Sequence, residues 1–212
     1  MKYMLAVTLM LSFAAAANAQ VQHQKFTQNG AFANASGSTD PNSTFQVSVS
    51  RTSSGNTSSN TNVSFEFINV NLAALPDPTE TFTLIIGPIP DADFTGDNTQ
   101  SMALNLDTST LDPTVTFSIT CTLDLITFGE TCTEPAAPGV ITLSFSQNGV
   151  DRTQVLTLNE VVTTGPVTTR IHQSSDNASA NVTGTIFGST VGGATATIGV
   201  NHNSTLESIS TM

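Results

Sequence analysis

Val115-Thr116-Phe117-Ser118-Ile119-Thr120-Cys121-Thr122-Leu123-Asp124-Leu125 alternates apolar and mostly polar residues over eleven positions. A side chain that changes face at every residue belongs to a β-strand, and this period of two predicts one with an apolar and a polar face. Shorter runs repeat the pattern: Phe45, Val47 and Val49; Val63, Phe65 and Phe67; Phe82, Leu84 and Ile86; Met102, Leu104 and Leu106; Ile141, Leu143 and Phe145. Further strands are expected in Val167–His172, Val182–Phe187 and Ala194–Val200. No long 3.6-residue pattern competes. Thr fills many of the polar positions, and its branched Cβ suits a pleated surface.

Counting these runs predicts about ten to twelve strands in an all-β, antiparallel β-sandwich, with a β-solenoid as the alternative. Ser54-Gly55-Asn56, Pro76-Asp77-Pro78, Gln147-Asn148-Gly149 and Gly192-Gly193 are the clearest turn signals. At Asn148-Gly149 a three-residue hairpin loop keeps the apolar face intact, setting Ile141 against Val155 and Leu143 against Thr153.

Asp40-Pro41-Asn42-Ser43-Thr44-Phe45, Asp77-Pro78-Thr79-Glu80-Thr81-Phe82 and Asp112-Pro113-Thr114-Val115-Thr116-Phe117 share the pattern Asp-Pro-x-x-Thr-Phe. Each copy reads as an entry from turn to strand. Asp turns the chain, Pro fixes φ, and Phe is expected to be the first inward side chain. A ligand surface built from the three Asp is the other reading, but strand entry explains the motif without one.

The N-terminus has the form of an export signal. Lys2 precedes an apolar run from Met4 to Ala17, and Ala17-Asn18-Ala19 is a small-x-small cleavage site. Residues 1–19 are therefore expected to be a signal peptide, and 20–212 a single all-β domain. The run is too short for a comfortable helical span of about 20 residues. Localisation would be secreted: extracellular, periplasmic or at the cell surface. Cys121 and Cys132 would then form a disulfide across a hairpin turning near Ile126-Thr127.

Charge narrows the partners. Of 212 residues, five are Lys or Arg and 16 are Asp or Glu, a net charge of −11. Loss of Lys2 with the signal would leave four basic residues and a net charge of −12. Charged residues are only 10% of the chain, while Ser, Thr and Asn make up roughly a third of it. A nucleic-acid ligand is excluded, because several Lys or Arg are needed to displace its counterions. No other window is apolar enough for a membrane span. Lys25 is the single Lys beyond the signal, so edge strands lack their usual guards against pairing. Self-association or a surface polysaccharide are the partner classes left.

Chemistry is sparse. Asp91-Ala92-Asp93-Phe94-Thr95-Gly96-Asp97-Asn98 spaces carboxylates as the start of a calcium loop does, making Asp91, Asp93 and Asp97 the candidate metal ligands. Met102 stands where an EF-hand needs its bidentate Glu, so a simpler Ca²⁺ loop is the form considered. The competing reading is a solvated acidic loop with Phe94 tucked beneath it. No Gly-x-Ser-x-Gly elbow is present. His23, His172 and His202 are far apart in sequence, and Glu66, Glu80, Glu130, Glu134 and Glu160 have no readable pairing. No cofactor is otherwise implied. The sequence thus points to an exported, non-enzymatic β-domain with a structural, surface or adhesive role. A carbohydrate- or calcium-binding module is the alternative.

Overall fold

The computed structural model describes residues 21–40, 42–54, 58–72, 76–89, 94–96, 98–136, 138–164 and 167–210. Among these described residues are twelve strands: β1 (Val21–Asp40), β2 (Ser43–Ser54), β3 (Ser58–Asn71), β4 (Thr79–Ile89), β5 (Phe94–Thr95), β6 (Ser101–Asp107), β7 (Phe117–Asp124), β8 (Glu130–Thr133), β9 (Val140–Thr164), β10 (Val167–Ile186), β11 (Ser189–Thr190) and β12 (Gly192–Ser210). Eleven pair in the order β5-β6-β9-β10-β12-β1-β2-β3-β4-β7-β8, and β11 pairs with β10. Every pairing is antiparallel. The all-β antiparallel class and the strand number agree with the sequence pattern. The strands form one curled sheet rather than the stacked coils of a solenoid. Among the described residues no helix is long and apolar enough to cross a membrane.

The curl follows from burial. Phe45, Phe65 and Ile85 on β2, β3 and β4 share one apolar cluster with Leu104, Leu143, Phe145 and Ile186 on β6, β9 and β10. Each fully buried side chain of this size contributes about 1.5–3 kcal/mol. Flat, the sheet would leave this face in water; folded over, its two halves cover each other. A two-residue loop, Phe187-Gly188, helps hold the closure. Both residues have positive φ, 50° and 86°, as a type I′ turn requires. The Phe187 ring packs edge-on against Phe65 and Phe67, with centroids 6.0 and 5.7 Å away.

Three expectations need correction. Gln147-Asn148-Gly149 does not reverse the chain, because β9 runs straight through it. Ala180 pairs with Gln147 while Ala178 already pairs with Arg152, so the extra residues are absorbed as a bulge against the uninterrupted β10. The Asp-Pro motifs do precede β2, β4 and β7, yet only Phe45 points inward. Pairing β4 to β3 sets Ile85 against Phe65, both fully buried. That register turns Phe82, Leu84 and Ile86 to the outer face, since successive residues alternate faces. On β7 the buried residue is Ser118 and Phe117 is 51% exposed. In the third motif, Asp112 Oδ1 accepts hydrogen bonds from the Thr114 amide and hydroxyl, which is the turn chemistry its sequence implied.

One end of the sheet extends past the core. There β9 (154–164), β10 (167–177), β12 (200–210) and β1 (21–31) remain paired to one another. At about 3.3 Å per residue this arm is roughly 30 Å long. Among its described side chains from Phe26 to Gly30, Leu158 to Thr164, Val167 to Asn177 and Asn201 to Glu207, none is buried.

Candidate functional site

Where the arm leaves the core, Asn29, Arg51, Ser53, Ser174, Asp176 and His202 line a cavity of about 540 Å³. Each is placed by strand parity. Ala31, Arg51, Val200 and Asp176 lie in one cross-strand row, continuing the face that carries the core. Asn29, Ser53, His202 and Ser174 form the row outside it along the arm. Arg51 spans the curl. Its Nη1 donates to the Phe94 carbonyl at 3.2 Å and its Nη2 to the Gly96 carbonyl at 2.7 Å. From the opposite wall, Thr99 Oγ1 donates to Asp176 Oδ2 at 3.2 Å. Residues 94–96 and 98–100 are thus tied to β2 and β10 by polar contacts.

Hydrogen bonds to a charged donor are worth about 1.5–3 kcal/mol each, less where solvent reaches them. Arg51→Ala should therefore lower unfolding free energy by about 2 kcal/mol, and Arg51→Lys should recover little, having no planar fork. Denaturant unfolding of the three proteins measures this; an unchanged midpoint in Arg51→Ala would show that the clamp contributes nothing.

The proposed calcium ligands Asp91, Asp93 and Asp97 lie outside the described residues. Their neighbour Phe94 is fully buried. Asn98 Oδ1 accepts from the Gln100 amide at 2.9 Å, closing the segment with a side-chain turn.

Cys121 and Cys132 are cross-strand partners on β7 and β8 and form a disulfide. Glu130 approaches the same pair. With both sulfurs in the S–S bond, the group offers no thiolate to a metal. Closing this short loop contributes about 3 kcal/mol by loop-closure entropy. The hairpin tip is held by Asp124, whose Oδ1 accepts from the Ile126 and Thr127 amides at 2.7 and 2.9 Å.

Those bonds, the Thr127 amide first, hold the Asp124 carboxyl below its ordinary pKa. A carboxylate with a lowered folded pKa stabilises above its unfolded value and loses that contribution as pH falls through the folded one. The tip should thus loosen only below about pH 4. An NMR titration of Asp124 reads this directly: a midpoint at or above that of a free aspartate contradicts it.

Two histidines scattered in sequence meet on the arm. His172 on β10 and His202 on β12 have ring centroids 5.8 Å apart. Nothing in the spacing of the two residues marks this, because only the β10–β12 register sets Ser174 opposite His202 and so makes the two rings diagonal neighbours. Nothing in the described geometry pairs either ring with a nucleophile; each Nδ1 is bonded to an Asn amide oxygen.

Two surfaces remain. From Asn148 to Thr164 the far edge of β9 has no strand partner among the described residues, and neither has the edge of β1 from Val21 to Thr27. On the outer face of β4 and β7, Ile86 and Phe117 pair and are 46% and 51% exposed. Comparison of the chain with protein-family models, curated proteins and solved structures gives no match.

Proposed function

We propose that this protein is an exported, non-enzymatic β-scaffold that assembles with further copies of itself through the edges of its arm. The observation that carries the reading is the pair of edges, on β9 and β1, that have no partner strand among the described residues. Open edges present unpaired N–H and C=O groups, and soluble proteins normally blunt them with Lys, Pro or bulges. From Thr153 to Thr164 the sequence is TQVLTLNEVVTT, with one charge, Glu160, and no Pro or Gly. Such a segment is well suited to add a strand.

The occupant is a second copy because the two edges complement each other. Three antiparallel steps separate β9 from β1, so they run in opposite directions. Joining β9 of one copy to β1 of the next continues the antiparallel alternation. A head-to-tail contact of this kind propagates rather than closing on itself. Sedimentation velocity over a wide concentration range tests the reading. The expected result is a mass that rises with concentration; a strict monomer at the highest concentration overturns it.

A polysaccharide-binding role is the second reading. The outer face opposite the core row carries Asn34, Ser48, Ser64 and Thr197 around a shallow cavity of about 640 Å³. These hydroxyl and amide groups, with Glu66 as the one charged residue of the lining, suit a glycan's hydroxyls. Glycan-array binding that disappears in Asn34→Ala/Ser48→Ala would favour it over self-assembly.

A further inference from the structure

We propose that His172 and His202 form a two-histidine site for a divalent transition-metal ion, with zinc as its representative. Across the four strands of the arm, in the order β9-β10-β12-β1, the relevant residues are Asn159, His172, His202 and Asn29. The arrangement is symmetric. Asn159 is the direct cross-strand partner of His172, and Asn29 that of His202.

His172 Nδ1 lies 2.5 Å from Asn159 Oδ1, and His202 Nδ1 is hydrogen-bonded to Asn29 Oδ1. An amide oxygen can only accept, so each Nδ1 carries the proton. In a neutral ring that leaves Nε2 with its lone pair. Among the described residues neither Nε2 has a hydrogen-bond partner. Both histidines are half-buried, so solvent and ions reach them.

This is the tautomer a metal-binding histidine needs. Ligating imidazoles nearly always donate their other N–H to an oxygen that fixes the ring. Imidazole nitrogen suits zinc, copper and nickel far better than calcium or magnesium. Two imidazoles on one tetrahedral zinc, with Zn–N near 2.0–2.1 Å, place their ring centroids roughly 5 Å apart. The observed 5.8 Å is a small side-chain rotation from that spacing. Two protein ligands leave two coordination positions for water. The bound ion would cross-link β10 to β12 in the half of the arm nearer the core. This inference does not depend on self-assembly, since all four residues belong to one chain.

Isothermal titration of the full chain with zinc chloride tests it, with far-UV circular dichroism confirming that each variant is folded. The expected result is saturable binding of one zinc per chain. His172→Ala and His202→Ala should each weaken it at least tenfold. Asn159→Ala should weaken it several-fold with both imidazoles intact, because the ring loses its orienting partner. His23→Ala should leave it unchanged. His23 pairs with Ser208, whereas His172 pairs with Ser204, two same-face steps along β12. Absence of saturable binding at submillimolar zinc overturns the proposal, as does binding retained in the double variant His172→Ala/His202→Ala or lost in His23→Ala.

Discussion

Gly184→Ala should destabilise the protein by about 3–5 kcal/mol, a large part of the roughly 5–15 kcal/mol that holds a domain folded. Gly184 sits within β10, opposite Leu143 of β9, at φ +138°. An L side chain is strained there, at about 1–3 kcal/mol. A Cβ would also lie 1.9 Å from the Thr142 carbonyl oxygen and 3.1 Å from the Leu143 Cα. These are backbone atoms in a paired strand and cannot swing aside as a side-chain end can. Relief requires β9 and β10 to separate, where Leu143 and Ile186 are both fully buried. Overpacking of this kind costs another 1–3 kcal/mol. The melting temperature should fall by roughly 10 °C or more. Gly188→Ala is the comparison, because its Cβ would meet nothing within 4 Å and only its φ of 86° is unfavourable. Equal melting temperatures for Gly184→Ala and wild type would mean that the close approach is not there.

The alternation around Phe45, Val63 and Leu143 was legible because each strand there has one face on a core. The same rule failed on β4. Thr83 and Ile85 are buried there, while the more apolar set Phe82, Leu84 and Ile86 faces outward. Alternation fixes that a strand has two faces, whereas the neighbouring strand decides which is covered. It also failed at Gln173-Ser174-Ser175-Asp176-Asn177, which looks like a break yet lies inside β10. Ala31 apart, none of the arm's described side chains is buried, so polar residues are tolerated there and the period vanishes. The disulfide was readable from two Cys at hairpin spacing. The histidine pair was not, since 29 residues of chain and a strand register stand between its members.

That same loss of period bears on assembly, where the second large effect is expected. Val161→Lys/Val162→Lys should shift the concentration at which copies associate upward by at least an order of magnitude. Consecutive residues of β9 point to opposite faces, so the pair puts one ammonium on each side of the free edge. Val161 is 64% exposed and Val162 41% exposed, and neither belongs to the core cluster. The folded chain should therefore lose little stability, since exposed substitutions usually stay within about 0.5 kcal/mol. Docking a second strand there would bring both charges into a sheet beside unpaired backbone groups and strip part of their water. A penalty of only about 1.4 kcal/mol per contact is a tenfold change in association. Electrostatic attraction works against this forecast: the chain is at net −11, so two added Lys reduce repulsion between copies. The signs therefore separate the mechanisms. If edge pairing drives association, the double Lys variant is the weaker associator despite its lower net charge. If copies meet through the outer face of β4 and β7 instead, it associates as well as wild type or better, while Ile86→Ser/Phe117→Ser becomes the variant that stays monomeric. Sedimentation of the three proteins at matched concentration and ionic strength decides between the two surfaces.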